Sequence, residues 1–115
     1  MRIVRASEVE AKPVTEAGAT GATVRWLLSR PEGAPSFAMR MFELEPGGST
    51  PLHTHDWEHQ VFILAGQAEV VTASDAVPVA AGNAVLVLPN ERHQFRNTAG
   101  ATARFLCMIP LPKEG

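Results

Sequence analysis

The stretch PLHTHDWEHQ, residues 51–60, holds three histidines within seven positions, and the chain has one other, His93, in LPNERHQFRN. On an extended strand His53 and His55, two residues apart, share a face with Cα atoms roughly 6.6 Å apart. Imidazoles so placed can converge on one ion at nitrogen–metal distances of about 2.0–2.1 Å. The interval DWE allows a turn, after which His59 opens an apolar strand and can approach the same ion from the neighbouring strand. His93 follows LPNE at the start of another strand, so an antiparallel return brings it opposite. Four neutral imidazoles suit a divalent transition metal such as Mn, Fe, Co, Ni, Cu or Zn, and not Ca or Mg. A lone histidine is usually a solvated or core residue; H-x-H-x3-H with a distant partner on strands is the pattern of a metal site. Because only neutral imidazole ligates, an ordinary histidine pKa of about 6.5 puts metal loss below about pH 6.

The elements that must position these residues read as strands. TVRWLLSR (23–30), SFAMRMFELE (36–45), HQVFILAG (59–66), AEVVTA (68–73), AVPVA (76–80), AVLVLP (84–89) and ARFLCMIP (103–110) are short runs rich in Val, Phe, Leu and Ile. Between them lie PEGAP, EPGGSTP, ASD, AGN, PNE and NTAGA, where Gly, Pro, Asn and Asp supply turn conformations. No segment carries apolar residues at helical spacing over three turns. Short strands at such intervals predict an all-β sandwich or barrel in a single domain. In HQVFILA both alternations are apolar: His59, Val61 and Ile63 on one, Phe62 and Leu64 on the other. Such a strand needs cover on both faces, from a second sheet or a second subunit.

Composition narrows the function classes. Of 115 residues, 45% are hydrophobic and 19% charged, which fits a globular domain and excludes a disordered charged tail. The net charge is -2, with no basic stripe to favour nucleic acid or an anionic membrane. The single cysteine, Cys107, has no partner for an internal disulfide. The start lacks a signal-peptide pattern and no apolar run approaches the roughly 20 residues that cross a bilayer, so the expected location is cytoplasmic.

With the histidines and strands placed, the sequence resembles the cupin superfamily. Its first motif, G-x5-H-x-H-x3-4-E-x6-G, is matched by Gly47, His53, His55, position 59 and Gly66, with every interval kept. The second is matched in GNAVLVLPNERHQFRN by Gly82, Pro89, His93 and Asn97. The resemblance implies one cupin domain over 1–115, a jelly-roll barrel whose motifs, 47–66 and 82–97, face each other and share one metal. Two positions depart from the pattern. His59 replaces the usual glutamate ligand, and Asn90 replaces the glycine after the motif-two proline, where Asn tolerates a left-handed backbone. The whole looks most like small single-domain four-histidine cupins, which implies manganese as the metal and a homodimer.

An imidazole in place of the carboxylate leaves the ion its full charge, and cupin geometry leaves it open positions for a small-molecule substrate. Phe95 and Asn97 share the alternation of His93, while Val61 and Ile63 share that of His59, so an apolar chamber is expected beside the metal. Trp57 is expected at its entrance, and Cys107, alternating with Phe105 and Ile109, either faces it or packs as a small hydrophobe. The chain has no tyrosine, which disfavours the His–Tyr pair of epimerase-type cupins. With every histidine assigned to metal, no acid–base pair is left. The expected activity is thus a metal-dependent, dioxygenase-like oxidoreductase acting on a small apolar or enolisable compound. The alternatives are a non-catalytic ligand-binding cupin and, behind it, an isomerase or decarboxylase.

Overall fold

The computed structural model describes residues 1–112. Nine strands form one antiparallel sheet curled on itself: β1 (Lys12–Pro13), β2 (Thr20–Leu28), β3 (Phe37–Ser49), β4 (His59–Ala65), β5 (Gln67–Val71), β6 (Ala76–Ala80), β7 (Ala84–Val87), β8 (Gln94–Arg96) and β9 (Ala103–Pro110). The strand order is β6-β5-β8-β3-β9-β4-β7, with β2 on β3 and β1 on β2. This is the all-β cupin jelly roll that the sequence leads one to expect. The only helical turns among the described residues are short 3-10 turns at Ala6–Glu8 and Arg30–Glu32. No helix among them is long and apolar enough to cross a membrane.

The β3 strand ties the barrel together. Its first part pairs with β9 through Arg40↔Cys107, Phe42↔Phe105 and Leu44↔Ala103, while Ser49 at its end pairs with Arg96 of β8. The sequence EPGGSTP, expected to be a turn, is therefore strand as far as Ser49. Glycine makes the bend possible. Gly47 has φ +83, and a Cβ on Gly48 would stand 2.6 Å from the Gly21 carbonyl oxygen, so β2 and β3 cross where no side chain fits.

Beyond the bend, β3 and the residues after it run antiparallel to the segment around β8. Gly47 N–H donates to the Asn97 carbonyl and Asn97 N–H to that of Gly48. Thr50 N–H donates to the Phe95 carbonyl, and Phe95 N–H to Thr50 Oγ1. His53 and His93 exchange both backbone hydrogen bonds, at 3.2 and 3.1 Å. Residues 51–58 do not form the continuous strand assumed above; His53 holds its place through an isolated bridge to His93.

The core gathers Phe42, Leu44, Ile63, Val70, Phe95 and Phe105 from five different strands. Phe42 stacks on Phe105 at 5.3 Å between centroids, and Phe105 on Phe95 at 4.9 Å. Outside the barrel, Phe62 and Leu64 of β4 and Leu86 and Leu88 of the β7 region stay 41–55% exposed. The second apolar alternation of β4 is thus not covered by this chain.

Asn97, expected beside the histidines on alternation, has a structural role. It is 1% exposed; its Nδ2 donates to the Leu44 and Ala101 carbonyls, at 3.0 and 2.7 Å, and its Oδ1 accepts from Ala99 N–H. The side chain closes the 97–101 turn onto β3. Asn97→Ala would strand buried backbone groups and should cost about 2–3 kcal/mol in urea unfolding. A loss below about 0.5 kcal/mol would remove this role.

Candidate metal centre

The four histidines meet at one end of the barrel. Ring centroids lie 4.2 Å apart for His53 and His55, 4.9 Å for His53 and His93, and 4.9 Å for His59 and His93. His55 is 5.2 Å from His59 and 6.0 Å from His93. His53 and His93 are set by their mutual bridge, His59 by the start of β4, and His55 by its carbonyl, which accepts from Asn90 N–H. Asn90 has φ +65, the left-handed conformation expected where the cupin pattern has glycine.

Each ring's environment bears on which nitrogen is free. A carbonyl can only accept, so His93 Nδ1, 2.9 Å from the Glu91 carbonyl, carries the proton and leaves a lone pair on Nε2. His59 Nδ1 lies 3.3 Å from Cys107 Sγ, while its Nε2 is buried with no hydrogen-bond partner. His53 Nδ1 stands 3.9 Å from Glu16 Oε2 at the rim. His55 stacks on Trp57, with centroids 4.4 Å apart and planes 11° from parallel.

Among the described residues, no group of three or more His, Cys, Asp or Glu side chains is placed as it stands to hold a metal ion. The histidine cluster nevertheless fits a shared ion in its donors and its span. Imidazoles about 2.1 Å from an ion have centroids roughly 3.2 Å from it, hence roughly 4.5 Å apart at right angles and 6.4 Å when opposed. The observed 4.2–6.0 Å lies close to that interval. The partnerless Nε2 of His59 is the kind of buried polar atom that needs a ligand.

The electrostatics disfavour protonation of His53, His55 and His59. Burial, then repulsion from His55, His93 and Arg40, lowers the His53 pKa to about 4. Burial, then His93, Arg40, His55 and His53, lowers His59 to about 3. His55 is also lowered, chiefly by burial and by His93, while Glu16 and Asp56 pull the other way. Burial raises the Cys107 thiol, and Arg40 opposes that shift.

The histidines open onto a cavity of about 250 Å3. Phe42, Phe95 and Phe105 bring the core to its surface, and Trp57 and Cys107 also line it. One wall comes from Val14 and Glu16, after β1, and from Trp26 of β2. Phe95, Cys107 and Trp57 thus stand where the sequence places them. Val61 and Ile63 do not line the cavity; they are 2% and 0% exposed in the core, because alternation fixes a face of the sheet but not depth along the barrel. Sequence reasoning missed Arg40, Trp26, Phe42 and Glu16. The signal for Arg40 was present, as a charge on the same alternation as Ala38, Phe42 and Leu44.

Comparisons with known proteins agree with this geometry. Residues 40–109 match the Cupin domain family. A 1-methylthio-D-xylulose 5-phosphate methylsulfurylase of Rhodospirillum rubrum is 35% identical over 76 residues, 66% of this chain and 49% of that protein. The matched region spans between 49% and 64% of the length of the curated relatives. The structure of the polyketide cyclase RemF from Streptomyces resistomycificus superposes with a TM-score of 0.92 at 36% identity, over 100% of this chain and 82% of that one. That of a predicted oxalate decarboxylase from Thermotoga maritima gives 0.84 at 28% identity, over 96% and 100%. A barrel of this topology, with both histidine motifs inside the matched region, makes this chain a member of the cupin family.

Proposed function

We propose that this chain is a metal-dependent enzyme acting on a small, enolisable, largely apolar or aromatic compound, with manganese first among the divalent transition metals that would fit. The observation that carries this reading is the buried, partnerless His59 Nε2 in a cavity walled by aromatic rings. His53, His55, His59 and His93 would hold the ion. A bound divalent ion supplies Lewis acidity and exchangeable positions for oxygen ligands. The Glu91 carbonyl fixes the His93 tautomer, the Cys107 sulfur steadies His59, and Trp57 limits rotation of His55. Phe42, Phe95 and Phe105 exclude water and present flat apolar surface to the substrate.

The reaction favoured first is oxidation of the dioxygenase type. Among the lining residues the only carboxylate, Glu16, has an exposed side chain, and every lining histidine belongs to the cluster, so no buried acid–base pair is at hand. The likeness to a polyketide cyclase over the full chain favours a second reading, ring closure of a polyketide-like compound without an oxidant. The location consistent with either is cytoplasmic. We also propose that the exposed face of Phe62, Leu64, Leu86 and Leu88 pairs two copies of the chain.

Purified protein should carry about one transition-metal ion per chain, and His59→Ala or His93→Ala should lower that content severalfold in elemental analysis. The lowered pKa values revise the expected pH limit. With His53 near 4 and His59 near 3 when folded, protons do not compete for these rings until well below pH 6, so metal should be retained at pH 5. The same shifts destabilise the metal-free fold in acid. From pH 6.5 down to about 3 the unfolded chain binds protons that the folded one refuses, His53 until about 4 and His59 until about 3, so these shifts make stability fall as pH falls there and leave it unaffected above 6.5. Full metal loss already at pH 6 would contradict the buried cluster.

Turnover of a panel of β-diketones and polyphenols by the metal-loaded protein should be accompanied by dioxygen uptake. Turnover without uptake selects ring closure, and no turnover above free metal leaves a ligand-binding module. Light scattering should give twice the chain mass for wild type, and Leu86→Glu should shift it toward monomer. A wild-type monomer at micromolar concentration would remove the paired face.

A further inference from the structure

The cavity contains a fixed cation that the metal-site reading does not use. Arg40 lies on the inward alternation of β3, between cross-strand neighbours Trp26 of β2 and Cys107 of β9. Its guanidinium carbon stands 5.3 Å from the centroid of Trp26 and 4.9 Å from that of Phe42. Nη2 donates to Cys107 Sγ at 3.1 Å, and Nε is buried without any partner. Arg40 makes no ion pair among those found for the described residues; the cavity's carboxylate, Glu16, has a side chain 68% exposed and approaches His53 instead.

The Nε of Arg25 and of Arg96 is likewise buried without a partner, but each of those guanidiniums has a carboxylate at its Nη2, and Arg40 has none among the ion pairs found for the described residues. A guanidinium keeps its charge at any pH of interest and has five N–H donors in a planar fork. Two aromatic faces offer it a π surface and one sulfur offers a weak lone pair, but neither supplies an anionic oxygen. Elsewhere in the barrel this chain pairs its arginines with carboxylates: Arg25 and Arg104 with Glu43, and Arg96 with Glu69. Arg40 faces the histidines instead, and its charge contributes to keeping His53, His55 and His59 unprotonated.

We propose that Arg40 is the anion-recognition group of this cavity, and that the natural occupant is a small planar oxygen anion, a carboxylate or an enolate, on an apolar or aromatic body. One oxygen would sit on the guanidinium fork and a second would face the histidine cluster, while the body packs on Phe42, Phe95 and Phe105. This deepens the enzyme reading above and rests on it for the role of the histidines. The charge balance supports it: neutral imidazoles, a divalent ion and a guanidinium leave a strong positive excess that an anion offsets. An uncharged substrate would leave the half-buried Arg40 guanidinium facing the cavity without an anionic partner.

The test uses tryptophan fluorescence, since both Trp26 and Trp57 line the cavity, with calorimetry as a second readout. The probes are benzoate for a carboxylate and the enolate of a cyclic β-diketone for an enolate. Each is paired with a neutral analogue of its size, benzamide and the methyl enol ether. Wild-type protein, metal-loaded and metal-free, is compared with Arg40→Met and Arg40→Lys, with circular dichroism and metal content recorded for each. Wild type should prefer anion to neutral analogue by about tenfold or more, and part of that preference should survive metal removal. Arg40→Met should lose about tenfold or more in anion affinity while the neutral analogues bind as before, and Arg40→Lys should lose less. The stronger of the two probes identifies the anion class. Unchanged anion affinity in a folded Arg40→Met, or equal loss for anion and neutral analogue, overturns the proposal. Should Arg40→Met fail to fold, absence of any anion preference in metal-free wild type overturns it instead. Arg40-dependent binding in protein that neither holds metal as purified nor takes it up on loading sinks the metal reading and leaves this one standing. Binding that depends on metal but not on Arg40 does the reverse.

Discussion

The pair of backbone hydrogen bonds between His53 and His93 is the constraint on which the rest of the site depends. The two residues are remote in sequence, and nothing in their side chains would bring them together. What does so is a ladder that starts at the Gly47–Gly48 bend, passes through Thr50 and Phe95, and ends at the histidines. In an antiparallel pair, residues opposite each other have Cα atoms about 4.5–5.5 Å apart, which brings two imidazoles within reach of one centre. His55 and His59 then need only a short loop and the first residue of β4 to complete the cluster.

The cluster is a place where the protein accepts an electrostatic cost. Burial, the neighbouring rings and the Arg40 guanidinium all disfavour a proton on His53, His55 and His59, and the carboxylates nearby, Glu16 and Asp56, do not outweigh them. Ordinary barrel interiors avoid such groups or satisfy them completely. Here His59 Nε2 and Arg40 Nε are both buried and both without partners. Arg25 and Arg96 also have a buried partnerless Nε, but each has a carboxylate partner, whereas His59 Nε2 and Arg40 line the cavity with no protein anion beside them. Asn97 provides the contrast: equally buried, it has a partner for each polar atom, and it holds a turn.

Much of this was legible in the sequence, for physical reasons that differ by element. Strands β4, β6 and β9 stand out because their hydrophobic runs are bounded by turn residues, and their limits fall within a residue of the runs read from the sequence. The histidine spacing gave the cluster, since i and i+2 and a short turn leave little freedom. The end of β3 was misjudged because Pro-Gly-Gly usually breaks a strand, whereas here glycine lets one strand bend between two partners. Val61 and Ile63 were assigned to the cavity because alternation reports a face and not a depth. Arg40 went unnoticed since a single arginine in an apolar strand normally points outward, and only the cross-strand register shows it between Trp26 and Cys107.

The cavity wall contributed by Val14, Glu16 and Trp26 has a consequence for how such a protein can diversify. These residues belong to the segment around β1 and β2, which lies against the barrel but takes no part in the bridge between His53 and His93. One wall of the chamber is therefore written in a segment that supplies none of the four histidines. Drift or design in that segment can remodel part of what the chamber admits without replacing any of the four histidines. A scaffold divided in this way lets new specificities be explored one wall at a time.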